Sequence, residues 1–183
     1  MIISGKEISE IRDDKVVREE IFKIGVHEIE LWKRAVISDQ KLFNQLYGFI
    51  YSGDHRLAWR SCWIIDNASA DCPDLLTDKL PEIIDALMST RDGSLKRHFT
   101  RVLSRYDIPE DYIVVLVNKC FELLLPSEPA AVRVFAMQIL FNIAIQLPDI
   151  KGELISVIEN MREEGGSAGF INRSGKLLRK LRS

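Results

Sequence analysis

Apolar residues recur along the chain at helical spacing, and the pattern itself repeats. Each of four segments begins with an apolar residue, and two more apolar residues follow it seven and eight positions later. This spacing places all three on one face of a helix. The first apolar residues of the segments are Leu57, Leu95, Val132 and Phe170, so the steps are 38, 37 and 38 residues. Four nearly equal steps rarely arise by chance, and we infer four copies of one helical unit.

A proline follows each of the first three helices, at Pro73, Pro109 and Pro148. Proline cannot continue a helix, so each marks a break. A second amphipathic stretch follows every break, and we expect Ser94 and Ser127 to cap helices, since hydroxyls accept first-turn amides. The pattern predicts helix–turn–helix units over about 54–91, 92–128 and 129–166, and a half repeat over 167–182.

The N-terminal part is less regular. Helical spacing extends from Asp14 to Phe22, from Val26 to Ile37 and from Lys41 to Ser52. Terminal units of stacked arrays are expected to be atypical, because one of their faces meets water. We interpret residues 1–53 as an irregular helical cap of a single domain over 1–183. The predicted fold class is all-α: a right-handed α-α superhelix, or solenoid, of helical hairpins.

The unit from Val132 to Leu140, with Leu147-Pro148 and a second helix after it, resembles a HEAT repeat. The Leu95 unit is similar, with Lys96-Arg97 after its first apolar residue. The resemblance covers roughly 54–182 and places the chain in the HEAT/armadillo class of α-α superhelices. It implies a scaffold or binding protein, as most members of that class are, while a few are enzymes of DNA alkylation repair.

The 183 residues carry a formal net charge of −2, which excludes a uniformly basic nucleic-acid binder. Sorting the charges by predicted helix changes this picture. The first helices (54–67, 93–105, 130–145 and 168–182) hold 12 bases and two acids. The second helices (74–87, 110–125 and 149–164) hold four bases and 12 acids. The total therefore conceals a strong polarity between the two sets of helices.

Two explanations of this polarity stay open. The charges of neighbouring helices pair with one another on a solvated surface, which is the ordinary case. Alternatively, the second helices form an acidic surface for a basic protein or peptide segment. On the second interpretation we expect a non-catalytic protein-interaction or scaffold module whose partner contacts are Asp78, Glu82, Asp85 and Glu122.

The last helix contains five bases and no acid between Gly165 and Ser183. A terminal helix with a solvated face explains this, and so does a patch that contacts phosphates. The alternative function is therefore nucleic-acid binding, and its candidate anion-binding residues are Arg97, Arg101, Arg133, Arg173, Lys176 and Lys180.

Catalytic and metal-binding patterns are weak. The three histidines lie in different units without metal-ligand spacing, so we expect no metal, no cofactor and no catalytic residue. One enzymatic alternative remains, a DNA glycosylase of the HEAT-like type. Trp59, Trp63 and Asp66 lie at positions i, i+4 and i+7 of one helix, where two indoles and a carboxylate would hold an extruded nucleotide.

The cellular compartment is predicted from the absence of targeting and membrane-spanning patterns in the sequence. The first residues lack the basic stretch followed by an apolar stretch that is typical of a signal peptide. The longest apolar run, from Ala130 to Leu147, is interrupted by polar residues and predicts a buried core helix instead of a membrane span. The three cysteines form no CxxC pair. We expect a cytoplasmic protein without membrane contact.

Overall fold

The structure is a computed structural model that describes Ile8 and residues 13–183; the rest of the predicted cap before Asp13 lies outside the described residues. All regular structure in this part of the chain is helical, which confirms the all-α prediction. The chain divides into two compact units, Met1–Lys79 and Leu80–Ser183. The single domain over 1–183 and its repeat boundaries stay predictions.

The first unit contains four described α-helices: α1 (Asp14–Ile21), α2 (Ile29–Ser38), α3 (Gln40–Ile50) and α4 (His55–Asp71). Two 3-10 helices, Pro73–Leu75 and Thr77–Lys79, follow α4. Helix α4 packs against α1, α2 and α3, so it is the shared element of this unit. Its residues Leu57 and Ile64 are fully buried.

Two arginines of α4 stabilise the end of α1. The Arg56 side chain donates to the backbone carbonyl of Phe22 at 3.3 Å, and Arg60 donates to the carbonyls of Ile21 and Ile24. Cations at the carbonyl end of a helix complement its dipole and its unpaired acceptors. These two predicted first-helix bases therefore contribute to packing.

The second unit contains six α-helices: α5 (Leu80–Ser89), α6 (Gly93–Leu103), α7 (Ile113–Glu122), α8 (Ala130–Gln146), α9 (Lys151–Glu163) and α10 (Ala168–Arg182). Helices α6, α8 and α10, which carry the Leu95, Val132 and Phe170 repeats, are consecutive packing neighbours. Helix α5 packs on α6, α7 on α8, and α9 on both α8 and α10. Helical units about 37 residues apart thus stack on their equivalents, as a repeat requires.

Helix α8 confirms the prediction of a buried core helix. It contacts α6, α7, α9 and α10. Because neighbours cover most of its circumference, its apolar residues are not confined to one stripe. Eight of them are buried: Val132, Ala136, Met137, Ile139, Leu140, Phe141, Ile143 and Ala144.

The proline turns differ from the prediction in detail. Short 3-10 helices follow or contain each proline: Pro73–Leu75, Glu110–Tyr112 and Pro148–Ile150. The second helix predicted from residue 74 begins only at Leu80, since Pro81 lacks a backbone N–H and fits only the first turn.

The predicted serine caps are wrong. The Asp92 carboxylate accepts the backbone amides of Ser94 and Leu95 at 2.7 and 3.1 Å, so Asp92 and not Ser94 caps α6. Pro129, two residues after Ser127, holds the N-cap position of α8 without a side-chain hydrogen bond. A carboxylate accepts first-turn amides at least as well as a hydroxyl, and it also meets the positive end of the helix dipole.

Candidate binding surfaces

The four acids predicted to contact a partner all lie at exposed positions. Asp78 belongs to the 3-10 helix Thr77–Lys79 of the first unit. Glu82 and Asp85 lie on α5, and Glu122 lies on α7, all in the second unit. The structure describes the two units separately, so only the last three are placed within one body.

Helix α5 separates its charged residues from its apolar ones. Glu82 and Asp85 are one helical turn apart and exposed, which places two carboxylates side by side. The opposite side of the helix is packed into the core through Leu80, Ile83, Ile84 and Leu87. The acids are therefore held on a surface whose orientation is fixed by four buried side chains.

Glu122 ends α7 and forms one surface ion pair. Its Oε2 lies 3.2 Å from the Nζ of Lys119, and 66% of the glutamate side chain is exposed. Exposed pairs at this spacing are worth a few tenths of a kcal/mol, so a basic partner would compete with Lys119 at little cost.

The bases of the first helices have several different roles. Lys96 of α6 forms an ion pair with Glu128, and both side chains are half-buried. Arg133 of α8 donates its Nε to the carbonyl of Leu124 at 3.0 Å and lies 5.2 Å above the Phe170 ring. Among the predicted anion-binding residues, Arg133 is thus engaged in helix packing.

Two further residues of that predicted set lie on α6. Arg97 is exposed, whereas Arg101 is half-buried and engaged in an interaction. The pairing explanation of the charge pattern therefore holds for Lys96, while Arg97 stays on the solvated surface.

The other three predicted anion-binding residues, Arg173, Lys176 and Lys180, lie together on α10. They border a cleft of about 410 Å³ between α10 and α8, which we call the basic cleft. Its lining residues are Gln138 and Phe141 of α8, with Arg173, Lys176, Leu177, Arg179, Lys180 and Ser183.

A chain of hydrogen bonds fixes the rim of the basic cleft. Arg173 Nη2 donates to Gln138 Oε1 at 2.6 Å, and Gln138 Nε2 donates to Asn142 Oδ1 at 2.6 Å. Asn142 Nδ2 then donates to the backbone carbonyl of Ser104 at 3.0 Å. Because each amide uses its oxygen as acceptor and its nitrogen as donor, the series orients Arg173 relative to α8 and α6.

The predicted set omits Arg179, Gln138 and Phe141 from this site. Arg179 could have been found from the spacing of bases on α10, which repeats every three to four residues. The two α8 residues carry no comparable signal, because their role depends on the packing of helices about 35 residues apart.

The tryptophans and the aspartate of the glycosylase alternative lie on α4. The rings of Trp59 and Trp63 are 6.1 Å apart at 31°, and both residues are half-buried. Asp66 is fully buried and engaged in an interaction. Its burial argues against contact with an extruded nucleotide, since a catalytic carboxylate must reach its ligand.

The cysteines and other ligand-type residues show little chemistry. Cys62 and Cys120 are buried, and burial raises the pKa of both thiols. A raised pKa disfavours the reactive thiolate. Over residues 13–183 and Ile8, no group of three or more His, Cys, Asp or Glu side chains is placed to hold a metal ion.

Membrane contact has a separate structural test. None of the described helices combines the length and the apolar content needed to cross a bilayer.

Comparison with known proteins identifies the fold family. The sequence model of the HEAT repeat domain family matches residues 17–181, nearly the whole chain. No curated protein and no solved structure matches significantly. Within the described second unit, the consecutive packing of α6, α8 and α10 agrees with this match. HEAT repeats generally stack into solenoids and mediate protein interactions. The chain therefore belongs to the HEAT repeat domain family.

Proposed function

We propose that this chain is a non-catalytic interaction module that binds a basic protein segment through exposed acids of its second unit, Glu82, Asp85 and Glu122. The observation that carries the proposal is the pair Glu82 and Asp85, which α5 holds side by side in solvent. Their helix is fixed by its buried face, so the backbone that carries the carboxylates does not have to be ordered on binding. Preorganisation of this kind lowers the entropic cost of association.

The charge distribution supports a basic partner. Several bases of the first helices are engaged within the protein, as Arg60 and Lys96 illustrate. The acids of α5 and α7 are exposed, and Glu82 and Glu122 each take part in an interaction as well. An exposed negative surface attracts a positive segment over about 8–10 Å at physiological salt. The attraction raises the association rate and the specificity more than the final affinity.

A binding measurement tests the proposal directly. The probe is a labelled peptide of alternating Lys and Ala, about 12 residues long, and its anisotropy is followed in 50 and 150 mM salt. We expect Glu82→Gln/Asp85→Asn to weaken binding about 3- to 10-fold, since each of the two lost charge contacts is worth about 0.3–0.7 kcal/mol.

The matched control is Glu19→Gln/Asp107→Asn, which removes two exposed acids elsewhere and changes the net charge equally. It should alter the affinity less than about twofold, since each single surface charge contributes little at a distance. Equal weakening by both pairs, or no binding at low salt, would contradict the proposal.

We also infer a cytoplasmic location. The inference is supported by the thiols, because Cys62, Cys72 and Cys120 form no disulfide and two of them are buried. Reduced thiols are typical of reducing compartments.

A further inference from the structure

We propose that the basic cleft binds a phosphate group carried by a protein segment, that is, a phosphorylated serine or threonine side chain. This site lies on α10 and α8 and uses cations, so it goes beyond the acidic surface proposed above. The two proposals are independent, and either can fail without the other.

Four cations converge on the cleft from one helix face. Arg173, Lys176, Arg179 and Lys180 are exposed and fall within eight residues, about 10 Å of helix. Throughout the described chain, none of the four has a carboxylate within ion-pair distance. Arg182, on the same helix, differs because it pairs with Glu159. Uncompensated like charges this close repel one another, and an anion bound among them would relieve that repulsion.

Arg173 is held in place before any ligand arrives. One of its five N–H donors is used by Gln138, and Gln138 is itself fixed through Asn142. The remaining donors keep the planar fork with which arginine binds two phosphate oxygens. The Nζ of Lys180 lies 6.0 Å from the centre of the Phe141 ring, at the outer limit of cation–π attraction. Gln138 is thus a positioning residue for the arginine.

The dimensions favour a single phosphate over a long polyanion. A volume of about 410 Å³ is at the small end of the range for ligand sites. The buried side chains of Phe141 and Leu177 line the cleft. A phosphorylated side chain carries up to two charges and three acceptor oxygens in one place. Nucleic acid carries its charges in a row, whereas the neighbouring cleft between α9 and α10 is lined by both signs of charge: Glu159, Glu163, Arg162, Arg179 and Arg182. A surface of mixed sign offers the continuation of a polyanion no continuous basic track.

The test compares three labelled probes on the intact chain in 150 mM salt. They are an 11-residue Gly/Ala peptide with one central phosphoserine, its unphosphorylated twin, and a 12-nucleotide oligothymidylate. We expect the phosphopeptide to bind at least about tenfold more tightly than its twin, since charge-assisted hydrogen bonds to a phosphate are about twice as strong as those to a neutral hydroxyl. Equal affinity for both peptides would overturn the proposal, and so would tighter binding of the oligothymidylate, which would identify a nucleic-acid surface.

Variants locate the binding. Arg173→Gln and Lys180→Gln should each weaken phosphopeptide binding about 3- to 10-fold and lower its salt dependence. The control Arg182→Gln removes a charge from the same helix outside the basic cleft and should change the affinity less than about twofold. An equal loss in the control would show nonspecific attraction and overturn the site.

Gln138→Leu separates positioning from charge. It removes the hydrogen bond to Arg173 and no charge, so affinity should fall while the salt dependence stays that of the parent chain. Circular dichroism of each variant verifies folding. Amide shifts induced by inorganic phosphate in the unmodified chain give a second readout, expected at residues 173–180. Shifts spread evenly over the other helices would count against the site.

Discussion

Arg162 of α9 anchors the helix that carries the basic cleft, and its replacement tests how that helix is held. Its Nη1 donates to the carbonyl of Ile171 at 2.6 Å and to Ser174 Oγ at 2.9 Å. Ser174 is fully buried. The guanidinium also lies against Gly175, where an added Cβ would be only 3.0 Å from Nη1. Arg162→Met keeps most of the aliphatic stem and removes the donors.

The cost follows from the two lost bonds. Hydrogen bonds that involve a charged group contribute about 1.5–3 kcal/mol to stability. Ser174 Oγ still donates to Ile171 O at 3.1 Å, so that carbonyl keeps a partner and the net loss is close to that of one charged hydrogen bond at the lower end of this range. We expect the free energy of unfolding to drop by about 1.5 kcal/mol, or about 3–6 °C in melting temperature.

The assay is urea unfolding followed by circular dichroism, as a double-mutant cycle with Ser174→Ala. Because the two side chains share one bond, the cycle should yield a coupling free energy of about 0.5–1.5 kcal/mol. The control Arg182→Met removes an exposed arginine and should cost less than about 0.5 kcal/mol. A coupling below about 0.3 kcal/mol, or an equal cost for the control, would refute this account of the α9–α10 contact.

Three further stability predictions concern other elements. Leu140→Ala, fully buried in α8, should cost about 2–5 kcal/mol in urea unfolding, whereas the 63% exposed Ile145→Ala should be nearly neutral. Asp92→Ala should cost about 1 kcal/mol and Asp92→Asn much less, because both Asp and Asn accept the first-turn amides of α6. Lys33 and Arg34 hold the pKa of Glu30 below its ordinary value of 4.5. A lowered pKa stabilises the fold above the unfolded-state pKa, so Glu30→Gln should lower the melting temperature at pH 7 and lose that effect as the pH falls through the lowered folded-state pKa.

The helices that carry the repeated apolar residues were the most accessible to sequence analysis. Val132 and its apolar companions mark α8, and the 37- to 38-residue step correctly pairs α8 with α6 and α10, because equivalent faces must stack. The first residues of the helices were predicted less accurately. Val26 was predicted to begin a helix that begins at Ile29, and Val26 is 75% exposed. The Glu28 carboxylate accepts the Gly25 amide at 2.8 Å, a local hydrogen bond that apolar spacing does not report.

The candidate binding surfaces also contain some residues whose role could be predicted from the sequence and others whose role could not. Exposure of Glu82 and Asp85 follows from their positions between the buried residues of α5, so periodicity was enough to predict it. The fate of each base was not predictable, since Arg133 differs from Arg173 only in what the neighbouring helix offers. The link from Gln138 to Arg173 joins residues 35 positions apart. Contacts of this kind arise from packing and leave no local pattern.

A crossed binding experiment tests the central claim, that two surfaces of opposite charge bind different partners. The Lys/Ala peptide and the phosphoserine peptide are each titrated into the parent chain, Glu82→Gln/Asp85→Asn and Arg173→Gln/Lys180→Gln. The account predicts that the first variant weakens only the basic peptide and the second only the phosphopeptide, by about 3-fold or more in each case. Two results would contradict it: weaker binding of both peptides to either variant, or unchanged binding of both peptides to both variants.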